Sequence, residues 1–134
     1  MSPAHLSGRC LCGQLKWHAP GPILWAGHCH CESCRRASSA PVTSFFGVAR
    51  ESVTWDGAPS IYASSPGNER GYCGDCGLQM FYRSDRWPEE THLYAASLDE
   101  PETFVPEAHY HYSERVPWLN VTDDLPKHPG SAED

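Results

Sequence analysis

The sequence has no apolar run approaching the roughly 20 residues that a membrane-spanning helix requires, and no membrane association is expected. Its start, Met1-Ser2-Pro3-Ala4-His5, has neither the basic opening nor the apolar stretch of an export signal, which points to a cytoplasmic protein. Positive charge is also short. Ten Lys and Arg stand against 17 Asp and Glu, a formal net charge of −7. Phosphate recognition needs a concentrated basic face, so a nucleic-acid partner is disfavoured. No repeat, low-complexity tract or linker interrupts the 134 residues, the size of one ordinary domain. One domain is expected over 1–134, with its ordered core from about 5 to 130, as a monomer or homodimer. Sustained helical periodicity is missing as well.

What is present is aromatic and broken into short pieces. Five Trp, six Tyr and four Phe give a globular composition, while 12 Pro and 11 Gly punctuate it, the pattern of a small many-stranded β fold. Strands are expected at Leu11–His18, Ile23–His28, Val42–Val48, Ser52–Trp55, Ser60–Ser64, Leu78–Arg83 and Thr91–Leu98. One short helix is expected at Glu32–Ala37 and a turn at Asp99–Phe104, where Pro101 suits a first helical position. The polar tail Pro126–Asp134 is expected to fray.

The seven cysteines fall in three clusters: Cys10-Leu11-Cys12-Gly13, His28-Cys29-His30-Cys31-Glu32-Ser33-Cys34, and Cys73-Gly74-Asp75-Cys76-Gly77. An odd count without an export signal argues against a disulfide scaffold and for metal. Cys73 and Cys76 form a C-x-x-C-G knuckle, whose spacing lets two thiolates bind one ion. A redox pair has the same spacing, but the βαβ setting of thioredoxin-like motifs is missing. Cys10 and Cys12 would share a face in an extended strand. Joined with Cys73 and Cys76 they complete the four-thiolate tetrahedron of a structural zinc, whose binding would contribute folding free energy directly. The alternative is that Cys10 and Cys12 are ordinary buried thiols.

Cys29, Cys31 and Cys34 leave a tetrahedral ion one ligand short. Such an open position can take a thiol substrate and turn it into a nucleophile. His28, His30 or Glu32 could instead fill it and close the site, although strand alternation turns His30 away from Cys29 and Cys31. Spacing alone also allows Cys29–Cys34 to share ligands with the other site; four plus three is the simplest division.

These residues resemble a known family. Gly8-x-Cys10-x-Cys12-Gly13, Cys29-His30-Cys31-x-x-Cys34-Arg35-Arg36 and Cys73-x-x-Cys76-Gly77 are similar to the glutathione-dependent formaldehyde-activating enzymes, a family also named for centromere protein V. Phe81-Tyr82, Ala96-Ser97-Leu98-Asp99 with Pro101 and Phe104, Pro117-Trp118, and Leu125-Pro126 with Pro129-Gly130 extend the likeness from about Gly8 to Gly130. The resemblance implies an all-β, Mss4-like fold of twisted antiparallel sheets stapled by a structural zinc. It assigns that zinc to Cys10, Cys12, Cys73 and Cys76, and a catalytic zinc to Cys29, Cys31 and Cys34. It implies a carbon–sulfur lyase that adds glutathione to formaldehyde to give S-hydroxymethylglutathione.

Arg35 follows the open cluster and is a candidate clamp for substrate carboxylates. Arg36 is expected to be solvated. Ser44, Phe45 and Phe46 could line a pocket, but the core is the simpler expectation for aromatics in a short apolar strand, as it is for Trp118. His109 and His111 stand at strand spacing and could hold a metal or move a proton, but ordinary packing is the simpler expectation. The competing class is a non-catalytic Mss4-like binding module that uses its zinc only to present a surface to a protein partner.

Overall fold

The computed structural model describes residues 5–132. Met1–Ala4, which carry most of the N-terminal reading, and the last tail residues, Glu133 and Asp134, lie outside the described residues. Ten strands run in chain order: β1 (Leu6–Arg9), β2 (Lys16–Ala19), β3 (Trp25–Cys29), β4 (Thr43–Ala49), β5 (Thr54–Asp56), β6 (Ser60–Ser65), β7 (Asn68–Tyr72), β8 (Gln79–Ser84), β9 (Glu90–Tyr94) and β10 (Ala108–Tyr110). The helix α1 (Glu32–Ser38) sits between β3 and β4, and short 3-10 turns occupy Arg50–Ser52, Ala95–Ser97, Pro101–Thr103 and Tyr112–Glu114. Among the described residues, no helix is long and apolar enough to cross a membrane.

The described strands form a three-stranded sheet, β1-β2-β5, and a seven-stranded sheet, β10-β3-β4-β9-β8-β7-β6. All pairings are antiparallel except β10 with β3, which is parallel. This is the all-β architecture expected from the sequence.

Period-two alternation gives the larger sheet two different faces. Ala26, Phe46, Leu93 and Phe81 lie on one face and pack with Leu6, Trp17 and Ala19 of the smaller sheet in a single core cluster. Trp17 meets Phe46 with ring centroids 6.0 Å apart, and Trp55 meets Phe81 at 5.5 Å. The opposite face carries a register row across five strands: Trp25 opposite Gly47, Gly47 opposite His92, His92 opposite Tyr82, and Tyr82 opposite Arg70. That row is polar and aromatic, and it forms part of the site described below.

Glycine positions this aromatic lining by leaving room for rings. Gly47 underlies the Trp25 indole, Gly27 the Tyr110 ring, Gly71 the Phe81 ring and Gly8 the Trp17 indole, so that a Cβ at any of the four would land against its ring.

Several elements differ from expectation for local reasons. Leu11–Leu15 is not strand. Gly13, at φ +80°, turns the chain and donates its N–H to the Cys10 carbonyl at 3.3 Å, so β2 begins only at Lys16. β1, β7 and β10 are additional strands. The tail is not frayed as far as Gly130: His109 N–H donates to Pro126 O (2.8 Å), His128 N–H to His109 O (2.9 Å) and His111 N–H to Gly130 O (2.8 Å). Trp118 is no core anchor; it is 70% exposed. Phe46 is core, whereas Phe45, though buried, belongs to the opposite face with Cys34 and Tyr94.

Gly71→Ala is expected to destabilise the metal-loaded protein by about 1–3 kcal/mol, because the fully buried Phe81 ring must move to admit a methyl group. Urea denaturation checks this, and an unchanged midpoint would contradict the packing described.

Candidate metal centres and active site

The first thiol cluster is built from two turns of the same design. Cys10 N–H donates to Leu15 O and Cys73 N–H to Leu78 O, both at 2.9 Å. Gly13 and Gly77, at φ +80° and +82°, bring their N–H groups back to the carbonyls of Cys10 and Cys73. Only glycine adopts that conformation without strain. Two sulfurs also receive backbone N–H groups: Leu15 N to Cys10 Sγ and Cys76 N to Cys73 Sγ, both at 3.4 Å. The Cys10–Cys12 pair therefore converges through a tight turn rather than through strand alternation.

The sulfur separations test whether a metal fits. Tetrahedral zinc with Zn–S of about 2.3 Å places sulfurs about 3.8 Å apart. Cys10 and Cys12 Sγ lie 3.5 Å apart, Cys12 and Cys73 Sγ 3.7 Å, and the four sulfurs all lie within 4.8 Å of one another. The donor set fits a closed four-thiolate ion. Cys10 and Cys73 are buried in the main core, while Cys12 is exposed.

The second cluster is Cys29, Cys31 and Cys34, again with sulfurs within 4.8 Å. Cys29 ends β3, Cys31 caps α1 with its sulfur accepting from Cys34 N–H at 3.3 Å, and Cys34 lies buried in the helix. A strand end followed by one helical turn thus folds three sulfurs toward one point. The other nearby donors are engaged elsewhere. His30 Nε2 bonds to His109 Nδ1 at 2.8 Å, His28 Nδ1 to Ser44 Oγ at 2.9 Å, and Glu32 pairs with Arg36 at 2.8 Å. Among the described residues, three thiols remain as the converged donors of this cluster.

Arg70, which sequence reasoning missed, faces this cluster. It is buried, and it donates to the Tyr94 hydroxyl at 3.1 Å and to Cys34 Sγ at 3.7 Å while stacking over the Tyr82 ring at 4.9 Å. Hydrogen bonds from the Cys29 and Cys31 thiols, together with the Arg70 charge, hold Cys34 down at about 3. Cys29 moves the other way, raised by sharing protons with Cys31 and Cys34 and by burial. The Arg70 guanidinium thus stands beside the sulfur of the cluster that most favours losing its proton. Arg35 has a different position. Its Nε donates to His30 O at 3.3 Å and its Nη2 to Glu114 O at 3.1 Å, which ties down the loop and keeps it off the cavity wall.

The three sulfurs open on a cavity of about 420 Å³, within the range of small-molecule sites. Trp25, Phe45, Tyr82, Trp87, His92 and Tyr110 form its aromatic walls. Ser33, Ser64, Ser65 and Asn68 line it with small polar groups, and Glu90 joins Arg70 as its charged lining.

Behind the thiol segment lies a second feature of the histidines. His109 is fully buried, with Nδ1 bonded to His30 and Nε2 at 3.0 Å from the Asp123 carboxylate. A carboxylate only accepts, so His109 Nε2 carries a proton and donates to Asp123. Burial and the neighbouring His109 push His30 down to about 4, which keeps it neutral and inside the fold. His109 therefore packs as expected, while its neighbour His111 reaches the cavity rim.

Residues 5–114 match the family model described as glutathione-dependent formaldehyde-activating enzyme. The chain belongs to this family. Among its relatives is a Halomonas elongata protein, provisionally named a glutathione-dependent formaldehyde-activating enzyme. It is 27% identical over 128 residues, spanning 87% of this chain and 80% of that protein. An uncharacterized lyase of Schizosaccharomyces pombe is 33% identical over 75 residues, spanning 56% of this chain and 55% of its own length. The crystal structure of a Rhodobacter sphaeroides protein superposes with a TM-score of 0.59 at 18% identity, spanning 90% of this chain and 98% of that one, and it shares the fold.

For this member of the glutathione-dependent formaldehyde-activating family, Arg70→Met is expected to weaken zinc retention at Cys29, Cys31 and Cys34 by about 10–100-fold, because the thiolates lose their counter-charge. The closed cluster should keep its affinity. Competition with a chromophoric chelator resolves the two releases, and equal affinity at both clusters in variant and parent would contradict the role given to Arg70.

Proposed function

We propose that the protein is a zinc-dependent carbon–sulfur lyase acting on a thiol–aldehyde adduct, with formation of S-hydroxymethylglutathione from glutathione and formaldehyde as its reaction. The observation that carries this reading is the set of three convergent thiols, left without a fourth protein donor, at the wall of an open cavity. The family membership supports it, and seven free cysteines suit a reducing cytoplasmic setting.

Cys29, Cys31 and Cys34 would hold zinc, which lowers the pKa of an incoming thiol and so makes it a nucleophile near neutral pH. The chain's own residues do the rest. In the addition, a C–S bond forms at the carbonyl carbon, the C=O π pair moves to oxygen, and the proton lost by the thiol ends on that oxygen. The charge balance needs help. Three thiolates around a dication leave a net −1, and a fourth thiolate makes −2 in a half-buried site. Arg70 brings that sum back to −1 and stands where negative charge is greatest, in a low-dielectric environment where such charges interact strongly. The aromatic walls limit water access to the adduct, and Tyr94, whose hydroxyl is raised by burial, stays protonated as a neutral partner for Arg70.

The zinc-loaded protein is expected to accelerate exchange between free and hydroxymethylated thiol, and Cys31→Ser to reduce that rate about 100-fold or more. Urea stability of the variant should stay within about 1–2 kcal/mol, since the closed cluster and main core are untouched. Proton NMR exchange spectroscopy on the thiol and its formaldehyde adduct reads the first, and denaturation the second. An unfolded Cys31→Ser protein, or no acceleration with any of several thiols, would favour the binding module instead.

A further inference from the structure

The aromatic end of the cavity contains a carboxylate whose charge the fold does not answer. Glu90 is the single acidic side chain among the described residues of the cavity wall. One of its oxygens, Oε1, accepts from both Trp25 Nε1 and His92 Nε2, each at 2.8 Å. Its Oε2 makes no hydrogen bond to a described residue. The side chain is only 24% exposed.

Both donors are neutral groups. An indole N–H carries no charge, and burial lowers the His92 pKa, which keeps its ring uncharged. The nearby guanidiniums are directed elsewhere. Arg50 donates to the carbonyls of Ser84 and Trp87, and Arg86 lies over the Trp87 ring at 4.9 Å and donates to Ser131. Neither forms an ion pair with Glu90. A carboxylate held rigidly by neutral donors, with one oxygen spare and indoles around it, is an arrangement suited to a cation. Trp25 meets the carboxylate through its indole N–H edge, Trp87 lines the cavity beside it, and the row Trp25–His92–Tyr82–Arg70 separates this carboxylate from the thiolate end.

We propose that Glu90, flanked by Trp25 and Trp87, is a binding subsite for a primary ammonium group, so that the substrate is an aminothiol. The proposal rests on the reading of the thiol cluster as the place where substrate sulfur binds. Sulfur then occupies the Cys29–Cys31–Cys34 end and the ammonium the Glu90 end. Selection among cellular thiols comes from the amine rather than from a carboxylate clamp.

The test measures binding without aldehyde, so no turnover is needed. Reduced glutathione and N-acetylglutathione are titrated into the zinc-loaded protein, followed by calorimetry and by quenching of tryptophan fluorescence. N-acetylation removes the charge of the amine and also adds a small acetyl group, so the salt dependence and the Glu90→Gln comparison separate charge from size. Glutathione is expected to bind about tenfold more tightly, with that margin shrinking as salt is raised. Glu90→Gln, which retains an acceptor for Trp25 and His92, is expected to remove the margin while leaving affinity for N-acetylglutathione unchanged. Equal binding of the two thiols to the parent, no binding of either, or a margin that survives in Glu90→Gln would overturn the proposal. The parent comparison needs no variant, so a poorly folded Glu90→Gln protein does not block the answer. If the margin is present but exchange with formaldehyde is not accelerated, the lyase reading fails and the subsite stands.

Discussion

One convergence organises the fold: four thiols, placed so that they could hold a single metal ion, bring a turn of the small sheet together with a turn of the large one. Cys10 and Cys12 lie in the turn between β1 and β2, and Cys73 and Cys76 in the turn between β7 and β8. Contacts between the sheets are otherwise made by side chains, supplemented by the Gly8–Leu98 bridge and by the bond from Asp99 N–H to Ser7 O at 3.0 Å. The smaller sheet has three short strands, and its apolar residues Leu6, Trp17 and Ala19 are buried in the core shared with the larger sheet. An ion bound by four thiolates contributes its binding free energy directly to folding. An ion held there would also tie down the relative placement of the sheets, between which Trp17 meets Phe46. Because the two turns share one hydrogen-bond design, the tetrahedron is assembled by backbone geometry, and the side chains need only be cysteine.

Closing one side of the large sheet frees the other. Alternation sends Phe46, Leu93 and Phe81 into the main core, and sends Phe45, Tyr94, His92, Tyr82 and Arg70 to the thiol face. The two functions of the sheet are therefore separated by a single residue step along each strand. A one-residue slip would exchange them. The glycine and aromatic pairs resist such a slip, since each ring fits only where its glycine leaves space.

Much of this was legible in the sequence, and what escaped did so for identifiable reasons. The three cysteine clusters made four plus three the simplest division, while spacing alone left the partition open; the folded chain groups the sulfurs four and three. α1 and β4 were visible because a short polar run after Cys31 and a β-branched and aromatic run after Val42 fit one period each. β7, Asn68-Glu69-Arg70-Gly71-Tyr72, was not among the expected strands, since it shows no apolar alternation. Its two buried residues are a glycine that makes room for Phe81 and an arginine turned toward the thiols, so neither registers as hydrophobic. Arg70 was hidden by the same fact, and Arg35 drew attention only because it follows a cysteine. The tail was read as frayed from its polarity, but its order comes from backbone pairing with β10, which composition does not report.

The histidines show how the parallel edge of the sheet supports the site from behind. β10 is the strand that joins β3 in parallel, and it brings His109 beside His28 and His30. His30 sits between two thiol residues, yet its ring is bonded into the interior through His109 to Asp123. The segment that contributes Asp123 is itself held by Leu125 N–H and Lys127, and continues into the pairing with β10. The chain from Asp123 to Gly130 therefore anchors the backbone that presents Cys29 and Cys31. Among the described residues only three thiols converge in the second cluster, and this buried hydrogen-bonded chain supplies rigidity behind them. Polar residues packed behind a strand that would otherwise read as apolar core are thus accounted for by what that strand has to hold.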